Sequence, residues 1–161
     1  MAEQLQNINL NLNTRKKFMI DNNPNKIIEL DVTDLGIAKR YADSINKMQE
    51  LNETYKSIQA TVDSMNEENK EETVTKINEF SEQMGKLERQ MRDIIDFVFD
   101  SPISDIILEN TSAFSPVQGK FIKYEQIFEV LSGLYTKHIK SDIDKISKRN
   151  VSKHTAKYVR K

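Results

Sequence analysis

Apolar residues recur every three or four positions from Ile37 to Phe99, the spacing of one apolar face on an α-helix. Residues 66–72 interrupt this spacing, because the segment contains no apolar side chain. Two structures fit the pattern: an antiparallel helical hairpin with its turn at 66–72, which we favour, and one long helix. The apolar positions on either side of the turn, called the seam below, are Ile37, Tyr41, Ile45, Met48, Leu51, Tyr55, Ile58, Val62, Met65, Val74, Ile77, Phe80, Met84, Leu87, Met91, Ile94 and Val98.

The chain before the seam has the composition of short β-strands. Residues 15–20 and 26–32 are both rich in apolar side chains, and Pro24 with its Asn and Asp neighbours supplies turn chemistry between them. This pattern predicts a β-hairpin. Residues 8–12 alternate apolar side chains with asparagines and are a candidate short edge strand. Because a lone hairpin is marginal in water, the hairpin must pack on the helices or join a neighbour's sheet.

These patterns predict a mainly α fold: a long antiparallel helical hairpin, further C-terminal helices and a small N-terminal β-hairpin. Thr33 or Asp34 is the expected cap of the first helix, and Ser101 with Pro102 is expected to begin a short third helix. Phe114 is the expected apolar anchor of the loop that follows. The predicted divisions are 1–33 for the strand and β-hairpin, 34–146 for a helical domain with helices at about 34–66, 70–100, 102–109 and 120–146, and 147–161 for a mobile basic tail.

Composition and charge point to partners. Hydrophobic residues make up 37% of the 161 residues, a low fraction for a compact domain, so we expect self-association or a protein partner. Residues 50–109 carry 15 acidic and six basic side chains, a net charge of −9, whereas residues 137–161 have a net charge of +7. No secretory signal and no apolar run of about 20 residues is present, so we expect no membrane partner.

The residues that usually carry catalysis are not arranged for it. The chain has no cysteine, and His138 and His154 lie 16 residues apart without the spacing of a metal site. The paired carboxylates at 67–68 and 71–72 fall in the predicted turn, beside no apolar pocket that would raise a pKa. No glycine-rich phosphate loop and no nucleophile elbow is visible. We therefore predict a non-enzymatic protein with no cofactor and no metal.

Two features suggest binding surfaces. Four methionines fall on the seam, where they either fill a core or line a groove for an amphipathic helix of a partner. The basic tail could contact phosphates or an acidic protein, or only aid solubility, and its single aromatic residue, Tyr158, makes nucleic-acid binding the weaker alternative. The basic side chains considered for an electrostatic contact are Lys148, Arg149, Lys153, Lys157, Arg160 and Lys161.

Two blocks of the chain resemble the tail assembly chaperones of long-tailed phages that infect Gram-positive hosts. The first, residues 16–41, has a β-hairpin pattern followed by an Asp-Leu-Gly helix start. The second, residues 94–135, has a helical Asp, an aromatic pair, a loop with a Phe and a Tyr-x-x-x-Phe helix. The chain departs from the family at 99–100 and 114–115, where glycine often follows the Phe. The matching positions of the second block are Asp96, Phe97, Phe99, Phe114, Tyr124 and Phe128.

The resemblance implies a non-catalytic protein that coats the tape-measure protein, an elongated helical client, and helps to recruit tail tube subunits. It implies action in the host cytoplasm and absence from the mature virion. The alternatives are a structural tail or connector component of the virion, and a DNA-associated protein that uses the basic tail. The residues expected to form the apolar contact with the client are Met84, Leu87, Met91, Phe97, Phe99, Phe128, Leu131 and Tyr135.

Overall fold

The structure is a computed structural model that describes residues 2–65, 70–117 and 121–159, with side-chain detail as far as residue 141. It is mainly helical and has a small N-terminal hairpin of two strands, which confirms the predicted fold class. The elements in chain order are β1 Lys16–Ile20, β2 Asn23–Leu30, α1 Gly36–Asp63, α2 Lys70–Phe99, α3 Ser104–Leu108, β3 Pro116–Val117, β4 Phe121–Ile122 and α4 Lys123–Val159.

Helices α1 and α2 form the predicted antiparallel pair, so the alternative of one long helix is wrong. The start of α1 lies beside the end of α2, where the Arg40 Nε donates a hydrogen bond of 2.9 Å to the Val98 carbonyl. Farther along, Ile58 near the end of α1 and Leu87 in α2 line the same cleft. The predicted turn at 66–72 falls largely on residues 66–69, which lie outside the described residues.

The N-terminus of α1 differs slightly from the prediction. The helix begins at Gly36, and the Asp34 carboxylate accepts a hydrogen bond from the Gly36 N–H at 2.8 Å. The same carboxylate pairs with Arg40 at 2.6 Å, one turn into the helix. Thr33 instead donates its hydroxyl to Asp31 at 2.6 Å, and this hydrogen bond is the main cause that lowers the pKa of Asp31. The N-cap residue is Leu35, which makes no side-chain cap hydrogen bond, so the prediction of Thr33 or Asp34 as the cap was wrong. Asp34 still places its negative charge beside the start of the helix.

The start of α3 is held from the preceding helix and not by Ser101. The Asp96 carboxylate of α2 accepts hydrogen bonds from the backbone N–H groups of Ile103 and Ser104, at 2.9 and 2.8 Å. Ser101 donates its hydroxyl to the Glu29 carbonyl at 2.7 Å, which ties this corner to β2. The prediction that Ser101 and Pro102 open the helix was wrong, because a carboxylate one turn before the end of α2 already satisfies the free N–H groups.

The β-hairpin is tighter than predicted. Asp21 and Asn22 form its two-residue turn with φ values of 51° and 55°, the positive angles that two-residue hairpin turns favour. Pro24 lies inside β2 and not in the turn. The candidate edge strand at 8–12 does not form in the structure, because its side chains contact no sheet and remain exposed. The inner face of the hairpin carries Ile28 and Leu30 into the core.

One core joins the hairpin, all four helices and the loop after α3. Phe114 anchors that loop as predicted: its ring stacks on Tyr55 at a centroid distance of 4.8 Å and meets Tyr124 edge-on at 5.7 Å. Helix α4 continues to Val159, past the predicted end at 146, so most of the predicted tail is part of a helix. The largest fully buried side chains are Tyr135, Phe99, Phe114, Ile28, Leu30, Met91, Ile95, Ile103 and Val98.

Candidate binding groove

A largely apolar groove of about 610 Å³ lies between α1 and α4. It follows α1 from Ile37 to Asn52 and α4 from Tyr124 to Ile139, about 22 Å along each helix at 1.5 Å per residue. The two walls are therefore matched in length. The side chains that line it are Ile37, Ala38, Tyr41, Ile45, Met48, Gln49, Asn52, Tyr124, Glu125, Phe128, Glu129, Ser132, Tyr135, Thr136 and Ile139.

The floor of the groove is an aromatic cluster shared by three helices. Phe128 of α4 meets Tyr41 of α1 edge-on and stacks against Phe99 of α2, each at a centroid distance of 5.5 Å. Tyr135 packs against Phe99 at a centroid distance of 5.9 Å. Tyr41 keeps 38% of its surface exposed, whereas Phe99 and Tyr135 are almost fully buried. The cluster gives the groove a rigid apolar base with one accessible ring.

Two polar atoms among the lining residues make no hydrogen bond within the described part of the chain: the Asn52 Oδ1 and the Tyr135 hydroxyl. Burial raises the pKa of Tyr135 to about 12, and the nearby Asp34 carboxylate adds to the shift, so the hydroxyl is neutral at physiological pH. A buried polar atom without a partner is costly.

Charge lies on one wall of the groove only. Among the described lining residues the charged side chains are Glu125 and Glu129, both exposed on α4, and the α1 wall is uncharged. An apolar trough beside two carboxylates suits a helix that has an apolar stripe flanked by basic residues. The sign of each charge follows from the sequence, but only the tertiary structure places these faces of α1 and α4 opposite each other.

Toward the far end of the α1–α2 pair, a second cleft of about 670 Å³ lies between residues 54–65, at and just after the end of α1, and residues 76–90 of α2. Eight of its twelve lining residues have hydroxyl, amide or charged side chains. Three seam residues near this end, Val62, Val74 and Ile77, are 36%, 57% and 48% exposed. The seam is thus covered near the β-hairpin and uncovered toward the tip.

Most of the predicted client contacts are core residues. Six of the eight residues are buried by the chain itself and are not accessible to a client in this conformation. Two of these six, Phe128 and Tyr135, form part of the floor of the groove. Met84 is half-buried against the core, and Phe97 is 53% exposed. The cause of this burial is that α2 packs against α4 within the shared core, where Phe99 contacts Phe128 and Tyr135. The six buried residues are Leu87, Met91, Phe99, Phe128, Leu131 and Tyr135.

Sequence reasoning missed Tyr41, Ile45 and Ile139 as accessible groove residues. A signal was present in the sequence: Tyr41 and Ile45 lie on the seam, and Ile139 lies on the apolar face of α4. Each of these two apolar stripes is longer than a single helix–helix contact would cover. The basic residues 148–157 lie on α4 with their side chains beyond the described detail, and 160–161 lie outside the described residues.

Among the described residues, no group of His, Cys, Asp or Glu side chains could hold a metal ion. No helix in that part of the chain is long and apolar enough to cross a membrane. No protein-family model, curated protein or solved structure matches the chain.

Proposed function

We propose that this protein is a non-catalytic tail assembly chaperone that binds an amphipathic helix of an elongated client in the groove between α1 and α4. The observation that carries the proposal is the groove itself: two matched walls of about 22 Å over an aromatic floor. A length of 22 Å accommodates about four turns of a partner helix. Such a segment would present apolar anchors at helical spacing to Tyr41, Ile45 and Ile139.

The client class comes from the resemblance of residues 16–41 and 94–135 to tail assembly chaperones. On that basis the client is the tape-measure protein, and the assembly includes tail tube subunits. A tape-measure protein is long and largely helical, so it offers many equivalent segments to many copies of a small groove. The proposed site of action is the host cytoplasm, and the protein would leave before the virion matures.

Blocking the groove should abolish client binding without unfolding the protein. Ala38 and Thr136 lie on opposite walls and are both exposed, so the A38R/T136R variant fills the groove while sparing the core. We expect the affinity for the co-expressed tape-measure protein to fall at least about tenfold, since each 1.4 kcal/mol is a factor of ten. The measurement is co-purification followed by titration of a client fragment.

The matched control is N46R/S141R, which adds the same two charges to exposed positions of the same helices outside the groove. It should bind the client like the unchanged protein, and both variants should keep the same thermal midpoint. Equal client affinity of the two variants would show that the groove is not the site.

Purified virions distinguish a chaperone from a structural tail or connector component, because both roles could use the same groove. We expect mass spectrometry of mature particles to detect the tube and tape-measure proteins and not this chain. Stoichiometric presence of the chain in the particle would contradict the chaperone function. The groove would then be a packing surface between components of the tail.

A further inference from the structure

One edge of the β-hairpin is free. The other edge, that of β2, is covered: Ser101 donates a hydrogen bond to the Glu29 carbonyl, and Lys26 of β2 pairs with Glu109 after α3 at 3.3 Å. Within the described residues β1 pairs with β2 alone. An uncovered strand edge presents unpaired N–H and C=O groups that can accept a further strand.

The chain before β1 has the pattern of the missing strand. Ile8, Leu10 and Leu12 alternate with asparagines, yet they are 77%, 66% and 76% exposed and belong to no strand. We call residues 2–13 the arm. Three adjacent apolar side chains on one side of an extended segment are the usual inward face of a strand. Their exposure means that the surface they would cover is elsewhere.

Within the described residues, the arm makes no strand pair with its own hairpin. Thr14 donates its hydroxyl to Asp31 at 2.8 Å, and the Arg15 guanidinium donates to the Asp100 carbonyl at 2.9 Å, so the chain is held at the base of the arm. The chain bends at Asn13, whose Oδ1 accepts a hydrogen bond from the Arg15 N–H at 3.1 Å, and at Asn11, which has a φ of 48°. Twelve extended residues at about 3.3 Å each reach up to about 40 Å, enough to reach another molecule.

We propose that the arm of one copy adds as a third strand to the free edge of β1 in a second copy. In this arrangement Ile8, Leu10 and Leu12 lie beside the half-buried Phe18 and Ile20 and extend the core, and the asparagines face solvent. The third strand gives the small sheet the width that independent stability requires.

Charge favours the arm over a second β1 as the added strand. Pairing two β1 edges would put four exposed lysines, Lys16 and Lys17 of each copy, into one short strand pair, and like charges close together across a strand pair are destabilising. The arm contains no basic side chain, and its one ionisable side chain is the acidic Glu3. A cationic edge and an uncharged-to-acidic strand are therefore complementary.

The first test is the mass of the full chain by light scattering, compared with the I8N/L10N/L12N variant. We expect the unchanged protein to be a dimer or larger and the variant to be a monomer with the same thermal midpoint, because the arm contacts no core residue. The control N7S/N9S changes only the polar side of the arm and should keep the larger mass. A monomeric unchanged protein, or a variant that still associates, would overturn the proposal.

The second test uses the absence of cysteine from the chain. Oxidation of a mixture of the N9C protein with the M19C or the K17C protein should give a mixed disulfide with one of the two, and its identity reports which β1 residue lies beside residue 9 of the arm. The A60C protein, altered at an exposed site on α1, is the control and should give none. Formation of neither mixed disulfide, or an equal yield with A60C, would contradict arm exchange.

Discussion

Replacing Arg92 with alanine is expected to lower the free energy of unfolding by about 3–5 kcal/mol, the cost of breaking a buried charge network from one side. Arg92 is 7% exposed, and its guanidinium contacts Glu88 at 3.1 Å and Asp105 at 2.8 Å. It also donates to the carbonyls of Glu109 and Thr111, at 3.0 and 2.8 Å. One side chain of α2 thus holds α3 and the loop after it.

The loss of stability extends beyond the contacts of Arg92, because its partner Glu88 makes further hydrogen bonds. The Glu88 carboxylate accepts hydrogen bonds of 2.8 Å from the Ala113 N–H and from the Ser112 hydroxyl, next to the anchor Phe114. Without the guanidinium, this partly buried carboxylate loses its counter-charge and the two carbonyls lose their donors. The hydrogen bond from Arg92 also lowers the pKa of Asp105, so that pKa should rise in the variant.

The control is R89A, three residues earlier on the same helix. Arg89 is 57% exposed by side chain and makes longer contacts, 3.8 Å to Asp93 and 3.4 Å to Asp105, so its removal should cost less than about 1 kcal/mol. Urea denaturation followed by circular dichroism measures both variants. Similar midpoints for R92A and R89A would show that the network contributes no more than a surface ion pair.

Replacing Phe99 with alanine is expected to cost about 3–5 kcal/mol of unfolding free energy, the range for truncating a buried aromatic side chain. Phe99 is 1% exposed and contacts both Phe128 and Tyr135, so its removal leaves a cavity beneath the groove floor. Calorimetry should show a large fall in the thermal midpoint. Client binding should weaken only to the extent that the cavity disturbs the floor of the groove.

Phe97 supplies the contrast, since it lies two residues earlier on the same helix and is 53% exposed. The F97A variant should change the unfolding free energy by about 0.5 kcal/mol or less, because little apolar surface leaves the core. Both residues belonged to the contact set predicted from the sequence. A smaller loss for F99A than for F97A would contradict the assignment of Phe99 to the core.

Helical periodicity predicted the two long helices, because a stripe at three- and four-residue spacing is a local property of the chain. The hairpin was predicted for the same reason, although its turn moved: Asp21 and Asn22 adopt positive φ values, and Pro24 enters β2. The start of α3 was missed because its acceptor, Asp96, comes from the preceding helix, seven residues before Ile103. Such a contact leaves no periodic signal.

The candidate site was predicted less well than the fold. An apolar stripe has the same spacing whether it faces the chain's own core or a partner, so Leu87, Met91 and Leu131 were assigned to a client although they are buried. Whether such a stripe is buried depends on which other apolar faces of the chain can pack against it. Here the shared core buries those three side chains, whereas Tyr41 and Ile45 line the groove between α1 and α4.

The sequence by itself determined the two long helices, the β-hairpin, the excess of acidic residues in the helical hairpin and the excess of basic residues at the C-terminal end, because these depend on residue type and spacing. Only the tertiary structure decided which apolar side chains are shared among α1, α2 and α4 and which stay accessible. The physical reason is that burial removes apolar surface from water irrespective of its source. The accessible groove is what remains after the chain has packed against itself.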